Sequence, residues 1–417
     1  MIIRNLVRPK NETTSLTLPE LVEQLNPVTI AGQTVTAETS KNVSTAYRCI
    51  NIISDDIAKM PFQIFTSRNR NIDRVKPSAM FQNIAWLMEV SPNRWMNPFV
   101  FKKTLAQWLI TWGDAYAWMP VPPSGMRREI FILKASMTTP VFESATGDIW
   151  YRTTFANGRT EYLPSVEVFH AMINSTDGIS GRSVISYARE SLGRQLGARD
   201  TQARFYSQGL NPSGLMWVNG SVEKDAREKI RNAYEDAMSG SGNAYRLAIL
   251  DNKVTKFEPI TMKPVDAQFL ESIQENDVEI ADFFGMPLHK LNRGKQAYNS
   301  NEQANLEYLN TTLDPYLVQF EQEGNLKWLT QEEQAYMYCK FNRDALLRTD
   351  AKTRSEVIEK RIQSGVLTPN EGRQIEDMSS FEGGDAHYFP ANMGQIQSDG
   401  SLKGVNGANQ GNQNQQK

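Results

Sequence analysis

Along residues 265–285 (VDAQFLESIQENDVEIADFFG) apolar side chains recur at helical spacing. Phe269, Ile273, Ile280 and Phe284, with Leu270 and Ala281 beside them, define one face of a predicted helix. Glu271, Glu275, Glu279 and Asp282 fall at i, i+4, i+8 and i+11 and form a carboxylate stripe on the opposite face. No lysine or arginine in the segment offsets them. Like charges four residues apart cost a helix roughly 0.2–0.5 kcal/mol a pair, so the stripe costs on the order of 1 kcal/mol unless something outside the helix compensates. Two readings stand: a solvated face, or a surface that further subunits turn into the wall of a negatively charged channel. The helix is expected to stop at Gly285-Met286-Pro287, since Gly suits a left-handed C-terminal position and Pro cannot continue a helix. Residues 288–300 (LHKLNRGKQAYNS) lose the apolar period and predict a mobile loop. The period returns in NEQANLEYLNTTLDPYLVQFEQEGNLKWL, with Leu306, Leu309, Leu313, Leu317 and Phe320 on one side and Pro315 expected to kink the run.

The preceding chain alternates helix and strand patterns. Residues 1–40 are polar and predict an irregular or partner-dependent arm. Asn42-Val43-Ser44 offers a cap for a helix burying Tyr47, Ile50, Ile53 and Ile57 and closed by Pro61; PFQIF follows as a strand. Further helices fit residues 78–89 and the start at Asn97-Pro98, a cap followed by Pro at the first helical position. Trp86, Trp95, Trp108, Trp112 and Trp118 predict a dense aromatic core; a base-stacking platform would interleave more Arg and Lys. Short strands and turn signals over 115–173 predict antiparallel sheet packed on these helices.

After a Gly-rich linker at 177–183, residues 184–208 predict one long helix with Ile185, Ala188, Leu192, Leu196, Ala203 and Tyr206 along its stripe. Arg182, Arg189, Arg194, Arg199 and Arg204 decorate this stretch against only Glu190 and Asp200, whereas 265–285 carries six acids and no base. Opposite charge predicts that the two helices, or their copies in neighbouring subunits, pair. Gly193 and Gly197 would permit close helix approach at roughly 1 kcal/mol each in propensity. Between the helices lies an insert expected to project as a knob. It reads as a strand at GLMWV, a charged helix over 222–238, an SGSGN turn, and a hairpin-like pair AYRLAIL and KVTKFEPI. Beyond Trp328, AYMYCKF predicts a strand returning to the first sheet. Thr349/Asp350 cap a helix ending near Gly365, and Thr368-Pro369-Asn370-Glu371 forms a capping box opening another. Residues 391–417 are rich in Asn, Gln and Gly and predict disorder.

Composition narrows the function classes. Over 417 residues, 40% apolar and 22% charged content fit a globular protein of several subdomains. A net charge of −2 argues against tight phosphate binding, though not against DNA sliding past a surface with few sticking points. Cys49 and Cys339, the only cysteines, give no disulfide framework and suit a reducing compartment. The opening MIIRNLVRPKNETTS lacks a signal-peptide pattern, and runs such as LAQWLITW are too short to span a membrane, so no membrane association is expected. No phosphate-loop motif or G-x-S-x-G elbow occurs, and His170, His289 and His387 lack partners at metal-ligand spacing. His170, beside Phe169, reads as a satisfied structural histidine. No enzyme activity, cofactor or metal is expected, since a row of ionised carboxylates lacks the contrast of environments that acid–base work requires.

The series FFGMPLHKL, YNSNEQANLEYL and LDPYLVQFE, with ISGRSVISYARESLG, FYSQGLNPSGLM, DAKTR and SGVLTPNEGR, closely resembles the portal proteins of long-tailed double-stranded-DNA bacteriophages. The likeness covers roughly 41–389; Leu288 departs from it, since many relatives carry a second Pro there. The resemblance implies an α+β portal fold: an N-terminal arm (1–40), a mixed helix and antiparallel-sheet wing (41–181), stem helices (182–210 and 264–285), a small α/β clip (211–263), a tunnel loop (286–300), a kinked tunnel helix with the wing's return strand (301–348), a helical crown (349–390) and the tail. It further implies a ring of twelve copies at one capsid vertex through which double-stranded DNA passes, in the virion and, during assembly, in the host cytoplasm. Expected partners are the terminase large subunit, a head–tail adaptor, and major capsid or scaffolding protein. Glu271, Glu275, Glu279 and Asp282 then line the channel; His289, Lys290, Asn292, Arg293, Lys295 and Gln296 belong to the tunnel loop that meets DNA; Arg189, Arg194, Arg199 and Arg204 join subunits along the stem. The alternatives are a head–tail adaptor or minor capsid protein, which is generally much smaller, and a metal-dependent nuclease.

Overall fold

Three local signals set the first helices of the chain. The computed structural model describes residues 12–14, 28–68, 71–78, 83–121, 129–144, 146–207, 214–218, 223–225, 228–229, 232, 254–259, 266–292, 301–346, 351–376, 378–387, 395–396 and 402–403. It forms two units, 1–346 and 347–417. In the first, β1 (Glu12–Thr14) precedes α1 (Ser44–Lys59). The cap expected at Asn42 is not used: Val43 is extended and makes no side-chain cap, while Asn42 ends a 3-10 turn, Thr39–Asn42. α1 buries Ala46, Cys49, Ile50, Ile53 and Ile57, but Tyr47 is 54% exposed, because 46, 50, 53 and 57 hold the 3.6-residue stripe. β2 (Phe62–Arg68) and β3 (Asn71–Arg74) form a hairpin. α2 (Ile84–Glu89) is shorter than the expected span, since Asn83 accepts the Trp86 amide at 3.0 Å and starts it there. α3 (Pro98–Trp112) begins as expected, with Asn97 Oδ1 accepting the Val100 amide at 2.8 Å, and packs along α1.

The antiparallel sheet expected over 115–173 is present, divided into two sheets. β4 (Asp114–Trp118), β5 (Phe131–Leu133), β6 (Thr138–Glu143), β7 (Ile149–Thr154), β8 (Thr160–Pro164) and β9 (Val168–Met172) are all antiparallel. β5-β4-β9 forms one sheet and β1-β6-β7-β8 the other, the chain turning between them at the 3-10 segment Ala135–Met137. Tyr116, Leu133 and Val168 from the first meet Tyr151 and Leu163 from the second in a common core. β1 pairs with β6 in the register Thr13↔Phe142, so this part of the arm is strand rather than irregular chain.

The chain continues through α4 (Val184–Tyr187), α5 (Arg189–Ser207), β10 (Gly214–Val218), β11 (Val254–Pro259), α6 (Asp266–Phe283), α7 (Asn301–Tyr308) and α8 (Asp314–Trp328) to β12 (Met337–Phe341). GLMWV pairs with VTKFEP, zipping the two ends of the insert together; AYRLAIL and most of the helix expected over 222–238 lie outside the described residues. β12 returns to β2 as expected, with Cys339 opposite Ile64.

An aromatic lattice fixes α8 across two sheets. Trp328 stacks on Phe169 of β9 at 4.6 Å and meets Phe62 of β2 edge-on at 5.4 Å; Phe62 packs on Phe341 of β12 at 4.5 Å. Trp328 is the one buried tryptophan among the described residues. None of Trp86, Trp95, Trp108, Trp112 and Trp118, expected as core, is fully buried, and Trp95 and Trp112 are exposed, because the inward positions of α3 go to Phe101, Leu105 and Leu109. His170 is buried beneath α8: one ring nitrogen lies 2.7 Å from Asp114 Oδ1, the other 3.1 Å from the Tyr151 hydroxyl, and Glu323 accepts its backbone amide at 3.2 Å. It is the satisfied structural histidine that the sequence suggests.

In the second unit, α9 (Ala351–Gln363) and α10 (Pro369–Ile375) are joined by a turn, and Thr368 with Glu371 makes the expected capping box. The tail expected to lack structure throughout contains a two-residue pair, Gln395–Ile396 with Leu402–Lys403. No helix among the described residues is long and apolar enough to cross a membrane.

Trp328→Ala removes the shared wedge between the sheets. It is expected to lower stability by about 3–5 kcal/mol, the usual range for a large buried aromatic, read as a lower urea midpoint for unfolding of the full chain.

Candidate functional site

The long helix expected over 184–208 bends at its root. Ser183 caps α4 by accepting the Ser186 amide at 2.9 Å, and the chain turns at Ala188 before α5. The root is held to the β4–β9 pair: Arg182 N–H donates to Ile173 O at 2.9 Å and Gly181 N–H to the Asp114 side-chain Oδ1 at 2.7 Å. Val184, Ile185, Ala188 and Leu192 are buried, Leu196 is half-buried and Ala203 is exposed, so the apolar stripe runs out along α5.

What joins α5 to α6 is therefore polar. Asn276 Nδ2 donates to Ser191 O at 3.0 Å and Gln195 Oε1 at 2.8 Å, and Asp277 Oδ1 accepts from Thr45 of α1 at 2.5 Å. Both residues are buried, at 8% and 6% exposure. The sequence reading passed over them, although a signal was present: 276 and 277 lie between Ile273 and Ile280 on the face assigned to the core. A polar pair there is a buried hydrogen-bonding seam.

The predicted charge pairing occurs inside one chain. Arg194 forms an ion pair with Glu279, and Ser191 Oγ donates to the other Glu279 oxygen at 2.8 Å. Thus a residue expected on a channel wall and one expected between subunits are each other's partners, because both helices leave the same root side by side. Glu275 and Asp282 are exposed and pair with no base among the described residues. The Glu271 and Arg204 side chains lie outside the described ones; Arg189 is half-buried, and Arg199 Nη1 donates to Asn42 O at 2.8 Å within the chain. Gly193 and Gly197 admit no helix. The turn bridged at Val28 and Thr34 lies on them instead, and a Cβ at Gly193 would sit 2.4 Å from Thr29 Oγ1. Ile30 N–H donates to Glu190 at 3.2 Å and Gln33 Nε2 to Asp200 at 3.0 Å, so this section of the arm is docked on α5.

α6 ends as predicted: Gly285 takes φ +58° and Met286 N–H reaches back to Ala281 O at 2.9 Å. The loop expected from 288 does not begin there. Leu288–Leu291 is a 3-10 helix with Leu291 buried, and Arg48 of α1 donates to Lys290 O at 3.3 Å. The Lys290 ammonium lies over the Tyr308 ring, 4.6 Å from its centre, and burial lowers its pKa against the opposing pull of Asp56. His289 and Lys290 thus belong to the body, Asn292 is exposed with φ +54°, and Arg293, Lys295 and Gln296 lie outside the described residues. Burial, then the nearby Asp56 carboxylate, holds the Tyr308 phenol far above its ordinary range. The break expected at Pro315 is made one turn earlier: Leu309–Leu313 is a π turn, and Pro315 falls in the first turn of α8, where its missing amide is not needed.

The phage portal protein family model matches this chain over residues 44–377, from the start of α1 to just past the end of α10. The chain belongs to that family. The portal protein of Enterobacteria phage HK97 is 27% identical over 389 residues, covering 90% of either chain. The fold is similar to that of an HK97-family phage portal protein from Corynebacterium diphtheriae (TM-score 0.58, 16% identity, 76% of this chain and 98% of that one). It is also similar to a chain in the neck of a native GTA particle computed with C12 symmetry (TM-score 0.52, 19% identity, 82% and 94%).

In this portal-family chain the buried seam outweighs the surface ion pair. Asn276→Ala leaves buried acceptors unmet and is expected to cost about 1–3 kcal/mol. Arg194→Ala, at a pair about half exposed on both sides, is expected to cost under ~1 kcal/mol. Urea unfolding of the two variants side by side checks the order.

Proposed function

We propose that this chain forms the ring-shaped channel at one vertex of a phage-like capsid, through which double-stranded DNA is packaged and ejected and to which the tail is joined. Family membership across residues 44–377 carries the reading, and the fold likeness to a neck chain from a twelvefold-symmetric reconstruction supports a closed ring of copies. An adaptor or minor capsid protein is not favoured by a match of that span. The chain is assigned no reaction of its own; work on DNA falls to the terminase large subunit, which with the head–tail adaptor would bind the insert at 211–263. Major capsid or scaffolding protein would surround the wing.

In this reading α6 faces the pore. Glu279 is partly neutralised by Arg194, so the repulsion that keeps phosphates from adhering falls to Glu275, Asp282 and Glu271. Arg189, Arg199 and Arg204 are assigned to the stem joint with the next subunit. A near-neutral net charge suits a conduit better than a clamp. Within 286–300, Lys290 and its neighbours form the seat of the tunnel loop, and Arg293 and Lys295 are the bases that would touch phosphates briefly.

Native mass with negative-stain imaging of the purified chain is expected to show a ring of about a dozen copies around a hole. Arg293→Glu combined with Lys295→Glu is expected to reduce DNA packaged per capsid several-fold while leaving the ring intact. Unchanged packaging removes the role given to these bases.

A further inference from the structure

The kinked helix is wound in a different register from the one its apolar residues spell out. At α-helical spacing Leu306, Leu309, Leu313, Leu317 and Phe320 share one face. Leu309, Leu313, Leu317 and Phe320 are buried, but Leu306 is 40% exposed, and the inward place beside Leu309 goes to Tyr308, which is fully buried. The π turn Leu309–Leu313 makes the difference. In it Asp314 N–H reaches past Asn310 to Leu309 O, which winds one extra residue into the turn. One residue of an α-helix is about 100° of rotation, so α7 is turned by roughly that much from the face an unbroken helix would present to the interior.

Each register has its own support. The π register takes from Asn310 O the amide that an unbroken helix would give it, and leaves Leu306 outside. Two contacts from beyond the helix favour it: the Lys290 ammonium lies 4.6 Å from the centre of the Tyr308 ring, and Thr312 Oγ1 donates to Gly285 O. The α register would regain the backbone hydrogen bond and bury Leu306, at the expense of Tyr308 and the cation above it. We propose that Leu309–Leu313 is a two-register joint: on conversion from π to α, α7 turns against α8, Leu306 moves in and Tyr308 moves out from beneath Lys290. Because Lys290 belongs to the 3-10 segment Leu288–Leu291, the register of α7 is passed on to that segment, which loses the Tyr308 ring when the joint turns. One inserted residue is the smallest change that reassigns a helix face, and any contact that favours one register shifts the balance. The joint lies within one chain and operates without the ring proposed above.

Removing Asn310 from the full chain tests the joint. One residue fewer lets the helix run on in the α pattern with Tyr308 still inward, so the shortened chain is locked in the present orientation. Hydrogen–deuterium exchange across residues 301–313 is expected to be at least several-fold slower in the shortened chain than in the unaltered one, with exchange across α1 the same. Equal rates across 301–313 overturn the proposal. Tyr308→Lys pushes the other way, since it puts a charge where the π register buries a ring. Leu306→Cys reports the outcome, because both native cysteines are buried and compete little for a maleimide. The introduced thiol is expected to label at least several-fold more slowly when Tyr308→Lys is also present. Unchanged labelling, or the faster labelling of a locally unfolded helix, overturns the proposal. Where the shortened chain does not fold, this pair of labelling rates decides alone.

Discussion

The architecture turns on two glycine backbones in contact. Gly113, with φ +87°, ends α3, and Gly181 leads into α4; a Cβ on Gly181 would lie 2.1 Å from Gly113 O, and one on Gly113 2.4 Å from the Arg182 carbonyl carbon. Ile173 N–H donates to that same Gly113 oxygen at 2.9 Å. No side chain fits between the segments at this contact, so the path from β9 towards α4 is set there by main chain, with the Asp114 carboxylate accepting the Gly181 amide beside it. A contact with no room for a methyl group tolerates little displacement, and the chain runs from it through α4 into α5.

From that root outward, the bonding changes character. Between the sheets, aromatic rings and branched apolar chains fill the interior, with Trp328 touching Phe169 and Phe62, and Phe62 touching Phe341. Between α5, α6 and α1, amides, hydroxyls and carboxylates take over in Asn276, Asp277, Ser191 and Thr45. Apolar packing gains energy from any close fit, whereas hydrogen bonds select one register. The α5–α6 pairing is thus specified more tightly than its modest apolar burial suggests.

The sequence showed most of this where periodicity or cap chemistry was strong: the Asn97-Pro98 start, the Gly285 stop, the return strand at 337–341 and the Thr368 capping box. It misled where one composition serves two purposes. A tryptophan cluster reads as core, yet its members flank a stripe already filled by Phe101, Leu105 and Leu109. Gly193 and Gly197 read as a helix contact, but any segment with a small side chain can use such a notch, and Thr29 does. The charge pattern of Arg194 and Glu279 was legible, but whether the pair forms within a chain or between chains depends on three-dimensional proximity that no spacing encodes. His289 and Lys290 looked like loop because a single 3-10 turn is too short to leave a period.

The zipped base of the insert carries one more consequence. Because β10 and β11 hydrogen-bond to each other, the entry and exit of residues 219–253 are fixed side by side whatever lies between. The entropy of closing such a segment grows only slowly, by about 0.6 kcal/mol for each doubling of its length. The segment is in that sense a cassette: evolution can lengthen, shorten or replace it while the two strands at its base keep their pairing.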